Sequence, residues 1–145
     1  MCTTDISWLT RLHKLEYIDM SFINLSTITD WPLVVNMIPS LKVLSHYNCS
    51  LSSANQTLTH INLTELEHLG LSRNYFGHPI ASSWFWKVRT MKELGLSETY
   101  LHGPFPDALG GMTSLQQLGF TNNGNAATMT IDLKNLCELA ALRMA

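Results

Sequence analysis

The chain has 145 residues, of which 46% are hydrophobic and 14% charged, with a net charge of −2. That composition forms a core; it excludes a disordered segment and gives no basic excess that would call for nucleic acid. The cysteines Cys2, Cys49 and Cys137 form no C-x-x-C pair, no apolar run is long enough to span a bilayer, and Met1 to Arg11 lacks the pattern of a signal peptide.

In chain order, the sequence repeats one frame, L-x-x-L-x-L-x-x-N-x-L. It first occurs loosely at Leu15, Ile18, Met20, Ile23 and Leu25, then at Leu41, Leu44, His46, Cys49 and Leu51. Leu66, Leu69, Leu71, Asn74 and Phe76 match it fully. Met91, Leu94, Leu96, Thr99 and Leu101 follow, then Leu115, Leu118, Phe120 and Asn123, and a sixth copy opens at Leu139 and Leu142. The starts at 15, 41, 66, 91, 115 and 139 are 26, 25, 25, 24 and 24 residues apart. Such a period marks a solenoid, in which one unit cannot bury its own apolar face and stability comes from stacking.

Each frame encodes two local structures. The paired apolar residues two apart require a half-buried strand, so strands are expected near 17, 43, 68, 93 and 117. One parallel sheet should bury Leu44, Leu69, Leu71, Leu94, Leu96 and Leu118. Three residues before each start stand Leu12, Ile38, Leu63, Val88, Met112 and Leu136, and six before stand Leu9, Val35, Phe85, Leu109 and Leu133, with His60 the exception. That spacing is helical or 3₁₀, so each repeat returns by a short turn on the convex side. The Asn after the strand can bond the bend with its amide; Ile23, Cys49 and Thr99 do so less well. The fold class is an α/β repeat solenoid, a leucine-rich-repeat arc. Residues 1–145 form one domain of about five repeats plus a truncated sixth, without caps.

The segment Leu101, Gly103, Phe105, Pro106, Leu109 and Gly110 resembles the plant extracellular pattern L-x-G-x-I-P-x-x-L-G, and Phe76, Gly77, Pro79 and Ile80 are a damaged copy. The chain thus resembles the ectodomain of plant leucine-rich-repeat receptor-like proteins, the class that includes disease-resistance receptors. The resemblance covers Leu9 to Ala145 and is strongest from Leu66 to Asn123. It implies a right-handed solenoid, an apoplastic ligand site on the concave or lateral face, and partnership with a receptor kinase. It also implies a plasma-membrane or extracellular location. Members of the class add a signal peptide, a cysteine-paired cap, more repeats and a membrane helix. The expectation is therefore a partial ectodomain or the product of a shortened gene.

Alternation along the strands places rows of residues on the concave side. The first is Tyr17, Val43, His68, Glu93 and Gln117; the second is Asp19, Ser45, Gly70, Gly95 and Gly119. Beyond them come Ser21, Tyr47, Ser72, Ser97 and Thr121, then Phe22, Asn48, Arg73, Glu98 and Asn122. The candidate ligand-binding residues are Tyr17, Asp19, Phe22, Tyr47, His68, Arg73, Glu93, Glu98, Gln117 and Asn122, a mixture suited to protein or peptide contact; the alternative is a solvated face. The glycines leave a bare lane, open either to close approach of a backbone or to the reading of a decaying repeat.

Asn24, Asn48, Asn55 and Asn62 begin N-x-S/T sequons, the acceptor pattern for glycans in a secreted chain. Asn24 and Asn55, off the strands, should be occupied more fully than Asn48. Cys49 should be a buried thiol, and Cys2 and Cys137 inert. Of the successive Trp84, Phe85 and Trp86, one tryptophan is expected to stay exposed.

The histidines show no ligand spacing, and no nucleophile elbow, phosphate loop or kinase signature occurs. The reading is a non-enzymatic recognition module without metal or cofactor. Its partners would be a protein or peptide ligand and a receptor-kinase co-receptor, and not nucleic acid. The alternatives are an inhibitor of secreted hydrolases of the polygalacturonase-inhibitor type, or a truncated non-signalling remnant. The terminal repeats should be the least stable and prone to self-association.

Overall fold

The apolar residues three apart are where the backbone turns. In the computed structural model, which describes residues 5–123, 127–128 and 133–144, Leu9 N–H donates to Ile6 O, Leu12 N–H to Leu9 O, and Leu15 N–H to Leu12 O, each at 3.0 Å. The same chain of bonds runs Pro106, Leu109, Met112, Leu115 and Leu133, Leu136, Leu139. A 3₁₀ turn has about three residues, so a period of three keeps one face apolar. The convex side is accordingly built of 3₁₀ turns at Ser7–Arg11, Ile80–Ser82, Trp84–Lys87 and Asp107–Gly111, and a single α-helical turn, α1 (Trp31–Val35).

The turns lead into short strands, except that the expected helical return is missing from residues 51–67, which reach the strand at His68–Gly70 without a helical turn. β1 (Tyr17–Asp19), β2 (Val43–Ser45), β3 (His68–Gly70) and β4 (Glu93–Gly95) come first. β5 (Gly103–Pro104), β6 (Gln117–Phe120), β7 (Ala127–Thr128) and β8 (Ala141–Met144) follow. Among the described residues, six strands make one sheet in the order β1-β2-β3-β4-β6-β8, and every pairing is parallel. The register follows the frame: Ile18, Leu44, Leu69, Leu94, Leu118 and Leu142 are successive partners. The chain is thus a leucine-rich-repeat arc with its sheet on one side and short turns on the other. Leu142 continues the sixth copy of the frame as a full strand.

A second ladder runs beside the first. β5 pairs with β7 in parallel, and Pro79 bridges His102 one repeat earlier. Pro79 and Gly103–Pro104 belong to the two glycine- and proline-bearing segments that follow the strands.

The six inward leucines Leu44, Leu69, Leu71, Leu94, Leu96 and Leu118 are all buried, as are Cys49 and His46. One expectation fails. Trp84, Phe85 and Trp86 are all buried, because a solenoid has covered flanks as well as a core. The Trp84 ring packs edge-on at 5.9 Å against Trp31, which lies two repeats earlier, and Trp86 against Phe105 of the next repeat at 5.9 Å. Phe85 fills the interior, and the Trp86 indole N–H donates to Ile80 O at 2.8 Å. Three directions in one 3₁₀ turn are all used, two of them by neighbours. Leu12 departs from its row in the other sense: it is 41% exposed, with no earlier repeat among the described residues to cover it.

Candidate recognition surface

Outward residues of the strands line a trough of about 460 Å³ running from β2 to β8. Its floor is the row Ser45, Gly70, Gly95, Gly119 and Arg143, and one bank is Val43, His68, Glu93, Gln117 and Ala141. The five strands are four steps apart, so at about 4.8 Å per step the trough is about 19 Å long, the span of roughly six extended residues. His68, Glu93 and Gln117 are therefore brought together as expected. Tyr17 and Asp19 lie one strand beyond, both exposed on β1.

The bank is polar but loosely tied. His68 Nδ1 is 3.1 Å from Glu93 Oε2, Lys92 Nζ is 3.1 Å from Glu67, and Lys42 Nζ is 3.1 Å from Glu16. Each pair is exposed and separable by a ligand at little cost. Asp19 accepts the Ser21 N–H at 2.9 Å. The Ser21 side chain and then its backbone N–H hold the Asp19 carboxyl below the usual range.

On the other bank, hydroxyls cross-link the repeats. Ser97 N–H donates to Ser72 Oγ at 3.1 Å, and Thr121 N–H to Ser97 Oγ at 3.0 Å. Next to them Phe22, Asn48, Arg73, Glu98 and Asn122 have φ of 65, 53, 61, 56 and 56°. That is the left-handed region, which turns the chain out of the strand. These residues form a ledge above the trough rather than part of its floor. Tyr47 joins the ledge: its ring lies edge-on to Phe22 at 5.3 Å and under the Arg73 guanidinium at 5.6 Å. Arg73 Nε donates to Glu98 Oε1 at 3.2 Å, and Glu98 holds the Arg73 guanidinium above its ordinary range.

Sequence reasoning missed three members of this surface. Arg143 closes the trough; the frame at Leu139 and Leu142 already places it in the glycine row. Tyr75 and Tyr100 stack on the ledge with centroids 5.8 Å apart and planes at 18°, 64% and 57% exposed. Their signal was an aromatic two residues past Arg73 and Glu98 in adjacent repeats.

The four sequon asparagines, Asn24, Asn48, Asn55 and Asn62, are all exposed. The Cys49 thiol is buried and donates to Met20 O at 3.0 Å; burial pushes it up to about 11. It is therefore a protonated packing group at neutral pH. Cys137 is exposed and Cys2 lies outside the described residues. Among the described residues, no three His, Cys, Asp or Glu side chains are placed to hold a metal ion, and no helix is long and apolar enough to cross a membrane.

No protein-family model and no curated protein matches the sequence. Solved structures do match its shape. One is an internalin, InlF, of Listeria monocytogenes, with a TM-score of 0.67 at 18% identity over 97% of this chain and 37% of the other. A second is a leucine-rich-repeat protein of Leptospira interrogans, with a TM-score of 0.73 at 19% identity over 95% of this chain and 33% of the other. The chain spans about a third of the length of each. Its architecture is that of a leucine-rich-repeat protein.

Proposed function

We propose that this chain is a non-enzymatic recognition module that takes an extended polypeptide segment along its concave trough. The supporting observation is the glycine lane. Gly70, Gly95 and Gly119 do not have left-handed φ, and the nearest atoms to a Cβ placed on them would be Ser45 Oγ at 3.7 Å, Ser72 Oγ at 3.3 Å and Ser97 Oγ at 3.5 Å, with backbone no closer than 3.8 Å. Alanine would fit at 70 and 119 without adjustment and at 95 with a small one. Glycine inside an element costs about 0.5–1 kcal/mol relative to alanine. A feature that the fold does not need, placed three times in register, gives a ligand backbone close access to the sheet. His68, Glu93 and Gln117 would read its side chains from one bank and Ser72 and Ser97 its amides from the other.

The finer class we propose is a receptor-like protein of the plant defence or developmental type, with a receptor-kinase partner. The Leu101–Gly110 motif supports it, together with the second ladder its Gly103–Pro104 pair forms. The test is selection from a library of random linear peptides displayed on phage, with the full chain as bait. Selected peptides should lose roughly tenfold or more in affinity when Gly95 or Gly119 becomes Val, with the circular dichroism spectrum unchanged. A library that yields no binder, or binders indifferent to both substitutions, overturns the reading.

A further inference from the structure

The ledge carries a pattern that the trough does not use. Asn48, Arg73, Glu98 and Asn122 occupy equivalent left-handed positions on four successive repeats, so along the ledge they read amide, cation, anion, amide. A twofold axis through the ledge midway between Arg73 and Glu98 reverses that order. Each residue then faces its complement on the second molecule: Arg73 faces Glu98, Glu98 faces Arg73, and each outer asparagine faces the other. Tyr75 and Tyr100, next to the two charges and more than half exposed, are exchanged by the same axis.

We propose that this ledge is a self-complementary surface whose occupant is a second copy of the chain, in a closed twofold dimer. Isologous association requires a patch that complements itself under rotation, and charge order decides whether it does. Two cations or two anions at the central positions would repel twice. The observed order attracts twice. The intramolecular Arg73–Glu98 bond uses only the Nε donor, so the Nη groups can meet a partner's carboxylate in a forked pair. The exposed, mutually stacked tyrosines supply the large, rigid contact area typical of interface centres. The proposal is independent of the trough, whose lining includes none of Asn48, Arg73, Glu98 and Asn122.

The experiment is sedimentation equilibrium over a concentration series of the full, unglycosylated chain, with charge variants whose solvent-exposed side chains leave the core untouched. The wild type should show a monomer–dimer equilibrium. Arg73→Glu alone and Glu98→Arg alone should each weaken it by roughly tenfold or more, since each creates two like-charge contacts by symmetry. Mixing the two single variants should restore dimerisation, because the glutamates of one molecule then face the arginines of the other. The double exchange should restore it as well. A wild type that stays monomeric throughout overturns the proposal. So does association that ignores both single variants, which would run through the sheet edges instead, or a mixture that fails to recover.

Discussion

The seam between the second and third repeats and the seam between the first and second are closed by different chemistry at the same frame position. At the first of these, Asn74 serves both sides. Its Oδ1 accepts the N–H of Cys49 at 3.1 Å and of Leu51 at 2.9 Å, and its Nδ2 donates to His46 O and Leu71 O, each at 2.7 Å. At the other, the Cys49 thiol donates to Met20 O at 3.0 Å, with Tyr47 O of its own repeat at 3.5 Å, and its backbone carbonyl takes the Leu25 N–H at 2.8 Å. The alternation continues. Asn123 accepts from Thr99 and Tyr100 and donates to Leu96 O, whereas the Thr99 hydroxyl, 2.7 Å from Leu96 O and 3.0 Å from Asn123 Oδ1, makes no bond to the repeat before it, whose Phe76 N–H bonds the Thr99 carbonyl instead. The backbone follows the same alternation: Ser50 and Tyr100, in the repeats that Asn74 and Asn123 reach back into, have φ of 58 and 60°, while Asn24 and Tyr75, at the same position in the repeats before Cys49 and Thr99, are not left-handed. An asparagine in every second repeat thus suffices, because each reaches back into the repeat before it.

The largest expected effect falls on that asymmetry. Asn74→Ala would orphan two buried N–H groups and two carbonyls, each costing about 1 kcal/mol or more, so a loss of about 3–5 kcal/mol is expected in urea unfolding. Thr99→Ala removes one hydroxyl donor and should cost about 1 kcal/mol. Equal losses would break the comparison.

The next test addresses His46, which occupies the strand position held by Leu71 and Leu96 in later repeats. It is fully buried against the Trp31 ring at 5.4 Å, and neither ring nitrogen has a hydrogen-bond partner. Burial pushes it down from 6.5 to about 4, opposed only by the charge of Asp19. The unfolded chain therefore binds the proton first. Stability is complete above about pH 6.5, falls as the pH drops toward 4, and by that point about 3 kcal/mol has gone. Denaturant unfolding at pH 7, 5.5 and 4 should show that decline, and His46→Leu should flatten this part of it. At neutral pH the same substitution should stabilise by about 1–3 kcal/mol, since it removes two unsatisfied buried nitrogens. An unchanged pH profile in His46→Leu would place the sensitivity elsewhere.

The smallest effect would sharpen the backbone contrast. Ser50→Gly relieves a left-handed serine and should raise stability by about 0.5–1 kcal/mol. An equal gain from Tyr75→Gly, where no left-handed conformation needs relief, would remove the distinction between the two kinds of bend.

The frame was legible because it is local. Strand starts at 17, 43, 68, 93 and 117 follow from the two-residue alternation of Leu69 and Leu71 and their counterparts, and the convex turns follow from the three-residue spacing that ends at each frame start. The concave rows came with them, since alternation fixes which side a strand residue faces. What escaped was whatever depends on a residue in another repeat. Trp84 and Trp86 look too many for one turn until Trp31 and Phe105 are seen on either flank. Tyr75 and Tyr100 were passed over because each is an ordinary loop tyrosine by itself and becomes a feature only when stacked on the other.

By itself, then, the sequence determined the period, the parallel sheet and the buried leucines, because backbone geometry converts spacing directly into direction. Only the tertiary structure decided which seam is held by an amide and which by a thiol or carbonyl. It alone decided that His46 sits without hydrogen-bond partners, and that Tyr75 and Tyr100 stack on each other. The reason is physical: a side chain in a solenoid answers to the adjoining repeat, and its register against that neighbour exists only once the repeats have stacked.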